Sequence, residues 1–303
     1  MKLATTTEDF RKFCKTYKEQ VENVCEAGFK YIDLGMYVVD NDDSLLIRDD
    51  WKKCAEELKI TADKYGAKFI QAHSPGGNPL KEEGFEKLLK VTLRSIEVCG
   101  ELGIKNIVVH AGLLPEIGKE EFFKLNKQYY QKLFPTAEKC GVNILCENGT
   151  AKNAGTMYHT NSGEDMAEFV KYVNHPLFHI CWDTGHANCE GNQCDDIKTL
   201  GKELYALHIN DNRGGGDEHI IPYFGTVNMD EIMTALIDIG YSGYFTFESG
   251  STLRPAKYWQ GNRRAFEKDT RLSEPQLFMQ KQVEKLMYDI GEYILKAYNC
   301  FEK

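Results

Sequence analysis

The chain has 303 residues, of which 42% are hydrophobic, and this is enough to bury the core of one large domain. Its formal net charge of −9 gives no general attraction to a nucleic acid or to an acidic membrane surface. No stretch reaches the ~18 apolar residues needed to cross a bilayer, and the N-terminal MKLATTTEDFRKF lacks the apolar segment of a signal peptide. The ten cysteines include no CxxC pair, which is typical of reduced thiols. We therefore expect a soluble, cytoplasmic protein without membrane or nucleic-acid partners.

The first elements alternate between strand and helix. A short strand is predicted over 2–5, and a helix over 7–27 is predicted from apolar side chains that recur with helical spacing. Gly28 ends that helix. The apolar run YIDLGMY then predicts a second strand, and the acidic loop DNDD separates it from a helix over 50–65.

The same strand and helix unit continues to the end of the chain. The predicted pairs are KFIQAHSP with 84–102, NIVVHAG with 120–140, NILCENGT with 163–173, FHICWDTGH with 194–201, LYALHINDN with 228–239 and YFTFESG with 274–298. Strands that alternate with helices predict a parallel α/β sheet. Eight units in one chain of this length favour a closed (β/α)8 barrel, a TIM barrel, over an open sheet, with 1–303 as a single domain.

Polar residues with metal-binding or acid–base side chains end six of the predicted strands. They are His73, His110, Glu147, Asp183, His208 and Glu248. A barrel gathers the carboxyl ends of all its strands around one mouth, so these side chains are expected to meet there. In YFTFES the alternation of a strand places the two phenylalanines on one face and Glu248 on the other, inside the barrel.

The densest part of this pattern spans 37 residues, from Asp183 to His219, and also contains His186, His208 and Asp217. Asp and His also cap helices and fill turns, so a single Asp-Thr-Gly-His is weak evidence for a metal. Asp183 and His208, however, each end an apolar run and precede a hydrophilic segment, which indicates the end of a buried strand. Carboxylates and imidazoles there are the ligand types of a divalent metal site.

Four residues on successive strand ends, Glu147, Asp183, His208 and Glu248, could give a divalent ion three carboxylates and one imidazole. This oxygen-rich set suits Mn²⁺, which is our first expectation, and also Mg²⁺, Co²⁺ or Zn²⁺. A metal held in this way can chelate a carbonyl and its neighbouring hydroxyl and stabilise an enediolate, with Glu147 and Glu248 as base and acid. Such a site would isomerise or epimerise a sugar.

One long polar segment, 250–273, interrupts the pattern between the last strand and the last helix. Long loops of a barrel often form lids over the mouth. A surface loop that packs outside the barrel or against a second subunit is an equally good reading, so a lid and a homo-oligomer contact both remain open.

Five motifs in order, ENGTA, CWDTGHAN, LHINDN, DEHIIPYFG and FTFES, resemble the xylose-isomerase-like TIM barrel superfamily, which contains sugar phosphate isomerases and epimerases, ketose 3-epimerases and endonuclease IV. The resemblance to the ketose 3-epimerases implies Glu147, Asp183, His208 and Glu248 as metal ligands, with Glu147 and Glu248 as the catalytic acid and base. A sugar is the implied partner. The substrate-binding residues predicted with this site are His73, His110, His186, Arg213, Asp217 and His219.

The resemblance to endonuclease IV is equally complete in ligand type. The three-zinc site of that family would map onto His73, His110, Glu147, Asp183, His186, His208, Asp217, His219 and Glu248. Charge favours the sugar reading, because a DNA repair enzyme lines its mouth with Arg and Lys, whereas here positive charge clusters only in 254–271. A zinc endonuclease for abasic sites, a sugar dehydratase, a lyase that cleaves C-glycosides and a non-catalytic sugar-binding barrel remain alternatives.

Overall fold

Eight parallel strands form the frame of the molecule, and the computed structural model describes residues 1–39, 44–155, 158–191, 193–253 and 274–302. The strands are β1 (Lys2–Thr6), β2 (Tyr31–Gly35), β3 (Lys68–His73), β4 (Asn106–Val108), β5 (Asn143–Glu147), β6 (Phe178–Asp183), β7 (Leu204–His208) and β8 (Tyr244–Phe247). From β1 to β7 each strand pairs with the next along the chain, and β1 also pairs with β8. Ile209 closes the ring after β7, because its N–H donates to Thr246 O at 2.7 Å and its carbonyl accepts from Glu248 N–H at 3.0 Å. The predicted (β/α)8 barrel is confirmed.

Helices surround the strands, and two short 3-10 helices, Thr7–Phe10 and Gly201–Glu203, accompany them. The α-helices are α1 (Tyr17–Glu26), α2 (Trp51–Lys64), α3 (Phe85–Leu102), α4 (Lys119–Cys140), α5 (Ala151–Ala154), α6 (Gly163–Val173), α7 (Thr184–Asn188), α8 (Cys194–Leu200), α9 (Met229–Asp238) and α10 (Leu277–Ala297). None of the helices in these ranges combines the length and the apolar character that a membrane span requires.

The continuous helix predicted over 7–27 is wrong. The chain makes one 3-10 turn, leaves helical geometry, and starts α1 only at Tyr17. Thr16 sets this start through a capping box, in which its hydroxyl accepts from Glu19 N–H and the Glu19 carboxylate accepts from Thr16 N–H. The apolar spacing continued across the break because Phe10 of the 3-10 helix and Val21 and Val24 of α1 belong to the same buried cluster.

Side chains alternate between the two faces of every strand, and this alternation separates two cores. Inside the barrel lies a small apolar cluster of Val108, Leu145, Cys181 and Ala206. A much larger apolar layer fills the space between strands and helices, and Phe245 and Phe247 belong to it, as the YFTFES pattern predicts. Full burial of each such aromatic ring stabilises the fold by about 1.5–3 kcal/mol. The inner apolar cluster does not extend to the carboxyl ends of the strands, where polar side chains lie instead.

The segment predicted as a lid or subunit contact, 250–273, lies outside the described residues from 254 onwards, as do Arg254, Lys257, Arg263 and Arg264.

Candidate metal centre and active site

The structure brings the four predicted metal ligands together at the carboxyl ends of β5 to β8. One ligand atom from each of Glu147, Asp183, His208 and Glu248 lies within 4.8 Å of the others. Nδ1 of His208 stands between the two glutamates, 2.8 Å from Oε1 of Glu147 and 3.3 Å from Oε2 of Glu248. Asp183 and His208 are fully buried, whereas Glu248 is partly exposed at the mouth.

Backbone and amide groups fix the Asp183 carboxylate. Its Oδ1 accepts the His186 N–H at 2.6 Å, because Asp183 is the N-cap of α7. Its Oδ2 accepts from the Asn210 side chain, also at 2.6 Å. Each oxygen retains lone pairs, so the carboxylate is held in place without being saturated.

Two further clusters of possible ligands adjoin the first. In one, Nε2 of His110 lies 2.8 Å from Oε2 of Glu147, and Nε2 of His73 lies 3.6 Å from the same oxygen. In the other, Oδ2 of Asp217 lies 3.2 Å from Nε2 of His186 and 2.9 Å from Nε2 of His219. All the predicted strand-end histidines therefore face carboxylates.

Backbone carbonyls orient three of these imidazoles. Nδ1 of His73 faces Ser74 O at 2.8 Å, Nδ1 of His186 faces Asn148 O at 2.8 Å, and Nδ1 of His219 faces Glu248 O at 3.0 Å. A carbonyl only accepts, so each Nδ1 carries the proton and each Nε2 is directed into the site. This is the arrangement that metal-binding histidines adopt in proteins.

His208 is oriented the other way round, by residues that the sequence analysis missed. Its Nδ1 enters the site, and its Nε2 lies 3.3 Å from Oδ2 of Asp33 and 2.9 Å from the side-chain nitrogen of Gln71. Gln71 also donates to Asp33 at 2.8 Å. Both residues interrupt apolar strands, in YIDLG and KFIQAH, and Gln71 shares its strand face with His73. A polar residue two positions before a strand-end ligand is the signal that could have identified Gln71.

The charges of the site depend on close pairs of carboxylates and imidazoles. Burial raises the pKa of Asp183 to about 6. Burial opposes protonation of His186, but Asp183 and Asp217 outweigh it and raise the pKa of this imidazole to about 10. Glu147 is also buried, yet His208 and His110 hold its pKa well below the usual range. Without a cation, the imidazoles therefore supply the positive charge that the carboxylates need.

The donor set of the first cluster fits a divalent cation. Three carboxylates and one imidazole nitrogen converge in a buried space, and hard or borderline cations such as Mn²⁺, Mg²⁺ and Zn²⁺ bind such ligands. A cation could replace the protons that now separate the carboxylates from the imidazoles.

A cavity of about 320 Å³ opens above the cluster. Seven of the predicted site residues line it, namely His73, His110, Glu147, His186, Asp217, His219 and Glu248. Tyr37 lies over the imidazole of His73, with ring centroids 5.4 Å apart, and also lines the cavity. The volume is at the lower end of the range for pockets that bind small molecules.

Arg213, the remaining predicted substrate-binding residue, does not line this cavity. Its side chain is 58% exposed and pairs with Glu218, 2.9 Å from Nη1 to Oε1. Its backbone N–H donates to the other oxygen of the same carboxylate. The loop after β7 therefore directs this arginine away from the site.

The chain belongs to the family described as "Xylose isomerase-like TIM barrel", whose sequence profile matches residues 21–269. A fructoselysine 3-epimerase of Escherichia coli O157:H7 is 47% identical over 116 residues, which cover 37% of this chain and 40% of that protein. A probable endonuclease 4 of Nitrosopumilus maritimus is 28% identical over 190 residues, which cover 56% of this chain and 64% of that protein. The chain thus spans less than two thirds of the length of either relative.

Among solved structures, the D-psicose 3-epimerase from Clostridium cellulolyticum H10 with D-tagatose has the same fold, with a TM-score of 0.74. The superposition covers 97% of this chain and 99% of that one at 20% sequence identity.

Proposed function

We propose that this protein is a divalent-metal-dependent sugar isomerase or epimerase that acts on a ketose or an aldose, free or phosphorylated. The observation that carries the proposal is the position of Glu147 and Glu248 on either side of His208 Nδ1, at the floor of the cavity. Two carboxylates that reach one bound sugar from different strands can move a proton off a carbon and return one. The similarity to epimerases supports the same reading.

Glu147, Asp183, His208 and Glu248 would hold the metal, with manganese as the first candidate. When bound, a divalent cation there would polarise a sugar carbonyl and its adjacent hydroxyl, which acidifies the carbon-bound proton between them. One glutamate takes that proton and the other supplies one to the opposite face. His186 and His219, both directed into the cavity by backbone carbonyls, are placed to bind sugar hydroxyls.

The experiment is a turnover screen in deuterium oxide. Purified protein, loaded with one metal at a time, is incubated with a panel of ketoses, aldoses and their phosphates. We expect a new epimer or isomer with deuterium at the carbon that changes configuration. Asp183→Asn should lower both the bound metal and the turnover. Full metal content in that variant would show that the proposed site is misplaced.

A zinc-dependent phosphodiesterase is the second candidate, because all three clusters of an endonuclease IV-like site are present. The charge of the cavity argues against it. Among the described residues, only Arg11 and Lys12 bring lysine or arginine charge to the lining, whereas a DNA repair enzyme lines its mouth with many such side chains. A nicking assay on DNA with abasic sites, at low salt, distinguishes the two functions, since efficient incision would overturn the sugar reading.

A further inference from the structure

A second cavity of about 190 Å³ lies beside the cavity above the metal-ligand cluster, between α1 and α2. Glu8 and Arg11 belong to the lining of both cavities, so this pair of side chains lies where the two cavities adjoin. Nε of Arg11 lies 2.7 Å from Oε2 of Glu8, and Oε1 of Glu8 accepts the Tyr37 N–H at 3.3 Å. Gly35 leaves room for this arrangement, because a Cβ there would stand 2.2 Å from Cγ of Glu8.

One short segment supplies most of the positive charge on these walls. Residues 11–18, RKFCKTYK, contain four cations and no acid in a chain whose net charge is −9, so the expectation that positive charge clusters only in 254–271 is wrong. Arg11 and Lys12 line the cavity above the metal-ligand cluster, and Arg11, Lys15 and Lys18 line the side cavity. Arg48, the other cation of the side cavity, is paired with Asp50 at 2.8 Å, and Glu8 and Glu57 are the two carboxylates of the lining against its four cations.

The fold holds this basic segment open. It runs from the break between the first 3-10 helix and α1 into the first turn of α1, where Lys18 lies, and the Glu19 carboxylate accepts the backbone N–H groups of Lys15 and Thr16. Within the described ranges, neither the Lys15 nor the Lys18 ammonium forms an ion pair with a carboxylate. Apolar side chains, Val38 and Leu58 among them, also line the side cavity. Apolar wall with a cationic rim suits a carbon chain that ends in an anion.

We propose that the segment 11–18 binds an anionic substituent of the substrate, so that the preferred substrate is a ketose that carries a phosphate or a carboxylate, rather than a neutral free ketose. The sugar would lie over the metal-ligand cluster, and the substituent would extend past Arg11 towards Lys15 and Lys18. This inference rests on the proposed sugar chemistry and adds the substrate class.

Binding is measured by calorimetry on the metal-loaded full chain with four probes. They are D-fructose, D-fructose 6-phosphate, the ketoamine formed from fructose and 6-aminohexanoic acid, and the amide of that ketoamine. The acid and its amide differ only in the terminal charge. We expect the acid or the phosphate to bind about tenfold more tightly than its neutral counterpart, since two partly exposed ion pairs add a modest free energy. The difference should shrink as salt is added.

Variants of the lysines test whether the segment 11–18 causes the tighter binding of the anionic probes. Lys15→Met with Lys18→Met should abolish the advantage of the acid over its amide and raise KM with little change in kcat, because both lysines lie away from the reacting atoms. The matched control is Lys87→Met with Lys90→Met on α3, which removes the same two charges at the same spacing outside both cavities. A phosphate advantage that is lost in Lys12→Met, but kept without Lys15 and Lys18, would identify phosphate as the anion.

The inference is overturned if all four probes bind equally, or if the control pair loses the advantage as fully as the segment pair. The deuterium screen is independent of this result. Turnover of neutral ketoses together with equal binding of all probes would leave the sugar chemistry standing and reject the anionic substrate alone.

Discussion

Oδ2 of Asp33 lies 3.3 Å from Nε2 of His208, on the opposite edge of the imidazole from Glu147. The Gln71 amide nitrogen, 2.9 Å from the same Nε2, is a donor, but the charged carboxylate outweighs this neutral donor and favours the tautomer with its proton on Nε2, which leaves the Nδ1 lone pair free for a metal. The strand register places Asp33 beside Gln71, which donates to it at 2.8 Å. Asp33 is therefore placed to act on the metal through His208 without contact with substrate.

We expect Asp33→Asn to weaken metal binding about 10- to 100-fold, the usual effect of losing the partner of a metal-binding histidine. Competition with a chromophoric chelator measures the affinity, and the ¹⁵N shifts of the His208 ring report the tautomer. Asp63→Asn, an exposed carboxylate on α2, is the matched control. If both the metal affinity and the His208 tautomer are unchanged in Asp33→Asn, the Asp33 carboxylate does not orient His208 for a metal.

Metal binding should release protons. Burial disfavours the charged form of His208, but Glu248 and Glu147 outweigh it and hold its pKa well above the usual value. At neutral pH this ring therefore keeps its proton, and a cation must displace it. The affinity should rise with pH, by up to about tenfold per pH unit for each proton released, until the ring loses its proton unaided.

Calorimetry of metal binding in two buffers with different ionisation enthalpies counts these protons. The observed enthalpy should change with the buffer at pH 6.5 and 7.5. If the enthalpy is the same in both buffers, the ligands are already deprotonated before the metal binds. That result would contradict the raised pKa of His208.

The sequence predicted that the four candidate ligands lie together because each of these residues ends an apolar run. Three of them, Glu147, Asp183 and His208, are the last residues of buried strands, and the ends of such strands can be predicted from hydrophobicity alone. Barrel geometry then brings these strand ends together. Polar residues inside a strand carry no such marker. Asp33 contacts His208, which is 175 residues away, and no local pattern encodes that contact.

Local capping accounts for the wrong helix boundary, and loop direction accounts for the position of Arg213 outside the cavity. The break before α1 depends on the reciprocal hydrogen bonds of Thr16 and Glu19, which apolar spacing cannot reveal. Arg213 lies on the loop after β7, and its pairing with Glu218 directs it to solvent. Loop side chains follow such contacts rather than a strand period, so their direction is the least predictable from sequence.

A buried pair of acids behind β1 should make the fold less stable at high pH. Burial raises the pKa of Asp9 to about 8, and burial together with Asp9 raises that of Glu284 on α10 well above its usual value. The unfolded chain releases these protons near pH 4, so stability is lost as pH rises from there towards the folded pKa values. Thr5 donates to Asp9 at 3.1 Å and does not offset the burial.

Glu284→Gln should therefore stabilise the protein more at pH 8.5 than at pH 5.5, with a clear rise in Tm only at the higher pH. Asp289→Asn removes an exposed charge from the same helix and serves as the control. Urea unfolding at both pH values gives the free energies of unfolding. If Glu284→Gln changes the free energy of unfolding equally at both pH values, the fold does not hold the Glu284 carboxyl protonated.

The proposed chemistry depends most directly on Glu147 and Glu248. We expect Glu147→Gln and Glu248→Gln to lower kcat by at least about 10²–10⁴-fold, the range of general acid–base catalysis, with a smaller effect on substrate binding. Because each glutamate is also a proposed metal ligand, the metal content of each variant is measured first. His186→Ala is the comparison, and it should mainly raise KM if this imidazole only binds hydroxyls.

Solvent deuterium separates proton transfer from metal loss in the same variants. In the wild-type protein, a proton that passes through a glutamate in contact with water should be replaced by deuterium at the epimerised or isomerised carbon. In the Gln variants, exchange at that carbon should fall in parallel with kcat, because an amide side chain neither accepts nor supplies the proton. Gln variants that keep their metal and turn over substrate at near wild-type kcat would exclude this mechanism, even though the barrel and its cavity remain as described.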